Sequence, residues 1–485
     1  MANQRVLIVA FDALRPDMVT PELMPNLTRF AGEGVRFANN RSTYPTETRV
    51  NQTTLVTGTS PSVHGIVGNQ FLDLVASPDK LFNTGDETEL SAGDRRLGGL
   101  LVDTPVLSEI LAENGLELAV VSAGTPGGCR ILNHKAEEQN FFRFALKRPD
   151  ASVPSDRITA LINRIGPIPE HRIPSIEWLT YTTDVYLNYI EAEDTPAVTI
   201  LWYCEPDNSY HHKGIGTPDN LAAIHAVDAE FGRILDWRAA QGLNESLQII
   251  TLSDHGQLTV SSEALDVTAK LQEAGFSVGG AVDGNHDAIL SLSSAGGLYV
   301  RDSDPDLINQ ITAWLQAQPW CGPVFTREGR GSLSHDQIGI AHRRAPDIGF
   351  VVSSDDLVNG QGLVGTSLQD SVYPLGGGLH GGLHHKELHN WLALGGGAFF
   401  SGKVVERRSG IIDVLPTVLH LLDIEAPESV EGRILKEALA NDLGDVPDTE
   451  TETFTADGVD GYRAHLTVSR VCATRYLDRA WVTRS

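Results

Sequence analysis

RVLIVAFD (residues 5–12), AVTILWY (197–203) and LQIITLSD (247–254) are three short apolar runs, and two of them end in an aspartate. A continuous run of this length is how a strand buried on both faces of a parallel sheet reads. An acid at its carboxyl end sits where open α/β sheets present their ligands. LELAVVSA (116–123) and DIGFVVS (347–353) repeat the pattern, and amphipathic stretches such as MPNLTRFAGEG (24–34) fall between them. The alternation predicts an α/β fold with a doubly wound, mostly parallel sheet.

Working outward, residues 1–258 and 341–440 read as one discontinuous catalytic core. Residues 259–340 carry SSEALDVTAKLQEAG, a Gly-rich turn region and GGLYVRDSDPDLINQITAWLQAQPW, the pattern of a small α+β insertion that could cap a site. Residues 441–485 read as an acidic linker followed by a short C-terminal segment.

At 485 residues and 41% hydrophobic content the chain can bury an extensive core. Its formal charge of −26 argues against binding a nucleic-acid duplex or an anionic membrane through a basic face. No apolar stretch approaches the ~20 residues of a membrane span. Cys129, Cys204, Cys321 and Cys472 stand far apart, which signals neither a disulfide framework nor a zinc knuckle. With no secretory leader read at MANQRVLIVAFDALRP, a reducing, cytoplasmic location is expected.

Six metal-ligand-type side chains lie at the ends of apolar runs: Asp12, Asp207, His211, Asp254, His255 and His380. Three carboxylates and three imidazoles divide into two sets of three, and intermediate divalent ions accept both donor types. In EPDNSYHHKG (205–214), Asp207 and His211 share one face if the segment is helical. In TLSDHG (251–256) the adjacent Asp254 and His255 can both bind only if a turn starts there, and Gly256 permits one. Within YPTETRVNQTTLVTG (44–58), Thr48 falls in the first turn of an expected helix, where free N–H groups favour phosphate. His212, His384 and His385 are expected at the surface, and His389 either packed or behind a ligand. Phe71, Leu72, Trp178, Tyr181 and Tyr203 are candidate pocket liners, with core packing the preferred reading for each.

FDALRPD (11–17), PTETRVN (45–51), VTGTSPSVHGIVGN (56–69), EPDNSYHH, SDHG, HGGLHHKELHNWLALGGGAF (380–399) and DVLPTVLHLL (413–422) together resemble the alkaline phosphatase superfamily. Within it they are most similar to the bacterial nucleotide pyrophosphatase/phosphodiesterase, or type I phosphodiesterase, branch. The resemblance runs in order from residue 5 to 430 and implies a sheet of the alkaline phosphatase type. It makes Asp207, His211 and His380 the ligands of one metal and Asp12, Asp254 and His255 those of the other, with Thr48 the nucleophile bridging toward the second. Asn69 would stabilise charge on a phosphoryl oxygen. Two divalent cations are implied, zinc first, with manganese or iron as alternatives, and so is a small phosphodiester or nucleotide-like substrate cleaved through a phosphothreonine.

Arg49-Val50 departs from the Phe-Pro that often follows the threonine in that branch, so the substrate subclass stays open. Phosphonoacetate hydrolase is the runner-up, weakened because Gly124 and Pro126 stand where lysines are expected and Arg130 is the nearest cation. Phosphomonoester hydrolysis is a third enzymatic reading. The sulfatase nucleophile motif is missing, and GNHD (284–287) imitates the calcineurin-like metallophosphatases without their other motifs.

Overall fold

The computed structural model describes residues 4–193, 195–280, 285–441 and 444–485. Eight strands build the central sheet: β1 (Arg5–Phe11), β2 (Val35–Phe37), β3 (Leu118–Ser122), β4 (Phe142–Ala145), β5 (Val198–Tyr203), β6 (Leu247–Leu252), β7 (Leu392–Gly395) and β8 (Lys403–Val405). Their order is β8-β2-β7-β6-β1-β5-β3-β4. β6, β1, β5, β3 and β4 are parallel, and β7 runs antiparallel to both β6 and β2.

Residues alternate across a strand, so a run that is apolar throughout must be covered on both sides. Leu7, Val9 and Phe11 of β1 pack in one core with Ile224, Val227, Phe231 and Ile234 of helix α3 (Pro218–Ala240), which recur at helical spacing. Val6, Ile8 and Ala10 face the other core, with Leu55 and Val56 of helix α1 (Thr48–Thr57) and Leu415, Val418 and Leu419. The sheet is therefore doubly wound, as its runs predict.

DIGFVVS also forms a strand, Ile348–Val352, but not in the central sheet. It lies in a second, six-stranded sheet, antiparallel to Ala295–Val300 and Cys321–Thr326. An apolar run reports burial on both faces and not which sheet buries it. The second sheet thus draws on residues beyond 340. The acidic stretch read as a linker contains the strand Glu450–Asp457, which pairs with Tyr462–Val471 and, through it, Thr474–Arg484. Only Phe454 and Ala456 of that edge strand turn toward the core, so its composition reads as solvated chain.

Tyr462, Ala464, Leu466 and Val468 of the C-terminal sheet share a core with Leu298, Val324 and Phe350 of the second sheet. Of GNHD, Gly284 lies outside the described residues, and Asp287 pairs with Arg301 at 3.1 Å. No helix among the described residues is long and apolar enough to cross a membrane.

Candidate active site

Asp12 directly follows β1, Asp254 comes two residues after β6, and Asp207 opens helix α2 (Asp207–Lys213) just beyond β5. Three neighbouring parallel strands therefore deliver three aspartates to one end of the sheet. His211 lies one turn after Asp207 on α2, with its Nε2 3.1 Å from Asp207 Oδ1. The chain leaves β6 in a bend at Asp254, which lets the adjacent His255 point the same way. Gly256 is required there, because a Cβ at that position would collide with the Lys386 carbonyl. His380 arrives from a loop after Gly378–Leu379, and its Nε2 is 3.7 Å from Asp207 Oδ1.

The six expected ligands thus converge. Asp207, His211 and His380 form one group with their donor atoms within 4.8 Å of one another, and Asp12, Asp207 and His255 form a second. Asp207 belongs to both, so the two groups adjoin. Asp254 reaches the second through its Oδ2, 3.2 Å from His255 Nε2.

The hydrogen bonds assign the tautomers. Nδ1 of His211 contacts the Gly378 carbonyl at 2.7 Å, Nδ1 of His255 the Gly256 carbonyl at 3.0 Å, and Nδ1 of His380 the Thr46 carbonyl at 2.8 Å. A carbonyl only accepts, so each Nδ1 carries a proton and each ring turns its Nε2 toward the aspartates. Burial pushes the His255 imidazole down to about 3, and burial with the neighbouring His255 holds His380 well below its ordinary value. Those two rings are neutral.

One oxygen on each aspartate, Asp12 Oδ1, Asp207 Oδ1 and Asp254 Oδ2, is buried without a hydrogen-bond partner. Lone pairs facing unpartnered carboxylate oxygens repel unless a cation lies between them. Burial, then Asp254 and Asp207, raise the Asp12 carboxyl well above its usual range. Burial lifts Asp254 to about 7. For Asp207, burial is outweighed chiefly by the facing His211, which holds it low. Mixed carboxylate and imidazole donors, orphaned toward a common centre, fit divalent metal ions of the zinc, manganese or iron kind.

Thr48 is the first residue of α1 and is buried, with its Oγ1 3.3 Å from His255 Nε2. Asn69 accepts from the Arg49 backbone N–H at 3.4 Å through Oδ1 and donates its own backbone N–H to Glu47. Thr46 joins the loop before Thr48 to that of His380: its hydroxyl donates to the Gly382 carbonyl at 2.9 Å and accepts the Gly381 N–H at 3.0 Å.

Several supporting residues escape a motif reading. The Trp202 indole donates to Asp12 Oδ2 at 2.8 Å from the neighbouring strand, where Trp202 pairs with Ala10. A Trp N–H in an apolar strand needs a partner, and that was the legible signal. Tyr373 stacks on His211 at 3.9 Å, and the Asn390 amide holds the Ser253 carbonyl at 2.8 Å. Neither leaves a mark in the sequence.

Phe71, Trp178, Tyr181 and Tyr203 are core residues, while Leu72 lines a surface cleft with Asp73 and Leu74. Arg130 is held by Glu87 and Glu137 at 2.8 and 2.7 Å. His212 is exposed and His389 donates to the Ala38 carbonyl. The expectation of exposure fails for His384, which is buried, and His385 is only half-exposed. Both face Asp356, at 3.3 and 2.7 Å, in a third His/Asp group.

Residues 6–311 match the family model described as type I phosphodiesterase / nucleotide pyrophosphatase. The chain belongs to that family. Within the type I phosphodiesterases, it is 24% identical over 264 residues to ectonucleotide pyrophosphatase/phosphodiesterase family member 3 of Mus musculus, covering 54% of this chain and 26% of that protein. It is 23% identical over 432 residues to the bis(5'-adenosyl)-triphosphatase ENPP4 of Homo sapiens, covering 87% and 78%. The chain spans about a quarter to a half of the length of the first curated relatives it matches.

The solved structure of an inactive murine ectonucleotide pyrophosphatase/phosphodiesterase 5 in complex with AMP superposes with a TM-score of 0.60 at 18% identity. The superposition covers 87% of this chain and 96% of that one. This member of the family therefore shares the alkaline phosphatase-like fold of that neighbour.

Proposed function

We propose that this protein hydrolyses phosphodiester or pyrophosphate bonds of small, nucleotide-like substrates through a covalent phosphothreonine on Thr48. The observation that carries the proposal is the placement of the Thr48 hydroxyl at a helix start, 3.3 Å from His255 Nε2, above three buried carboxylate oxygens that lack partners. Asp207, His211 and His380 would hold one divalent cation and Asp12, Asp254 and His255 the other, zinc first. Bound there, the pair would supply the positive charge that stabilises the ionised threonine and the leaving oxygen.

The residues of the chain divide the remaining work. Thr48 Oγ forms a bond to phosphorus as the bond to the leaving oxygen breaks and the leaving group departs with its electron pair. Water then attacks phosphorus from the opposite side, the Oγ–P bond breaks and Thr48 regains its proton. The first turn of α1 favours the anionic phosphoryl group electrostatically. Asn69 Oδ1 is occupied by the Arg49 N–H, so its amide nitrogen is left to donate to a phosphoryl oxygen.

The test is hydrolysis of bis-p-nitrophenyl phosphate, p-nitrophenyl phosphate and phosphonoacetate by protein reconstituted with zinc or manganese, with and without chelator. Chelator-sensitive cleavage that favours bis-p-nitrophenyl phosphate over p-nitrophenyl phosphate is expected. Failure to cleave any of the three would end the proposal, and consumption of phosphonoacetate alone would replace it with the C–P hydrolase reading.

A further inference from the structure

Arg49 follows the proposed nucleophile directly. Among the described residues no hydrogen bond or ion pair reaches its guanidinium, and its Nε is sealed from solvent without a partner. The deeply buried arginines, by contrast, are tied down. Arg15 is bound to Asp17 and to the Gln257 and Val364 carbonyls, Arg143 to Glu137, Arg344 to Asp73 and two carbonyls, and Arg433 to Glu437. Arg49 is half-buried and only its Nε is sealed, so a guanidinium that stays charged at any working pH keeps donors free for an incoming anion.

The position of this side chain says what is missing. Arg49, the residue after Thr48, lines a cavity of about 230 Å³ together with Glu47, Asn69, Gln70, Ser291 and Ser293. The only carboxylate in that lining, Glu47, is engaged by the Asn69 N–H and the Ser293 hydroxyl. Burial opposes the charge on Arg49, while Glu47 first, and then Asp12 and Asp207, favour it through space, which places the guanidinium within electrostatic reach of the proposed metal centre as well as of Glu47. A planar fork of N–H donors matches the paired oxygens of a phosphate or carboxylate.

We infer that Arg49 is a specificity-determining residue that grips a second anionic group of the substrate, a phosphate or carboxylate close to the attacked phosphorus, inside the cavity beside Thr48. The inference rests on the proposed function and narrows it. Substrates bearing a second anion are favoured over diesters whose substituents are neutral.

Three substrates separate the sources of the anion: ATP carries a phosphate there, phosphonoacetate a carboxylate, and bis-p-nitrophenyl phosphate neither. For Arg49→Ala, kcat/KM on the second-anion substrate that the native protein prefers should fall on the order of 10²-fold, against a few-fold on bis-p-nitrophenyl phosphate. Arg49→Lys should recover only part of the loss, since it restores the charge without the fork. Equal losses on all substrates, or a native protein that cleaves bis-p-nitrophenyl phosphate and neither of the others, would overturn the inference.

Binding gives a readout that needs no turnover. At fixed free zinc, the native protein should bind methylenediphosphonate at least about tenfold more tightly than methylphosphonate, and Arg49→Ala should erase most of that preference. A preference that survives the substitution overturns the inference even if no substrate is cleaved, whereas failed cleavage with the preference intact and lost in the variant indicts the proposed function alone. The melting temperature of Arg49→Ala without ligand should equal or exceed that of the native protein. A drop would mark a structural residue instead.

Discussion

Two His/Asp clusters in this protein look alike by composition and distance, yet the hydrogen bonds on the far side of the rings set them apart. At the carboxyl ends of the central sheet, every Nδ1 is turned to a backbone carbonyl, which leaves Nε2 aimed at carboxylates. In the cluster of Asp356, His384 and His385, Nδ1 of His384 instead accepts the Lys386 N–H at 3.2 Å. Its proton therefore sits on Nε2 and is donated to Asp356. The first arrangement is frustrated until a cation enters. The second is already satisfied as a capped helix start hydrogen-bonded to a carboxylate, so proximity of ligand-type atoms does not by itself make a metal site.

The largest effect separates turnover from metal retention within the first cluster. Thr48 sits above the ligands without being needed to hold them together, so Thr48→Ala should lower kcat on the order of 10⁴-fold or more while elemental analysis still finds both ions. A variant retaining a percent or more of native activity would remove the phosphothreonine from the mechanism. Next is His211→Ala, which takes one imidazole from the Asp207 group. One equivalent of metal should be lost, and with it about 3 kcal/mol of the stabilisation seen at saturating zinc, read as the zinc-dependent rise in melting temperature. Full metal occupancy in that variant would contradict the ligand set.

The central sheet was legible because strands buried on both faces leave unbroken apolar runs, and the site was legible because those runs end in Asp12, near Asp207 and in Asp254. What stayed hidden depends on contacts between distant segments. The strand at 348–352 has the same apolar signature as β1, but its partners lie in the second sheet, and only tertiary packing decides between them. The edge strand Glu450–Asp457 was masked by the acidic residues on its solvated face. Trp202 and Tyr373 act on ligands 190 and 162 positions away, separations that no local pattern carries. His384 was misplaced for the same reason, because its burial comes from the fold around it and not from the HGGLHHKELHN segment itself.

The smallest expected effect is the sharpest test of the comparison between the clusters. Asp356→Asn removes the carboxylate that both His384 and His385 face, which would destroy a metal site of the catalytic kind. If the His384 tautomer is as the Lys386 N–H requires, the substitution removes only a largely exposed hydrogen-bonded carboxylate, with about two-thirds of the Asp356 side chain in solvent. Such exposed contacts contribute at most about 1 kcal/mol. Metal content should remain at the native two equivalents, the melting temperature should move by no more than a few degrees, and kcat/KM should stay within about twofold of native. Loss of an equivalent of zinc in Asp356→Asn would show that His384 can release its cap to bind metal. The orientation of Nδ1 would then no longer distinguish a resident metal site from a chance meeting of imidazoles and acid.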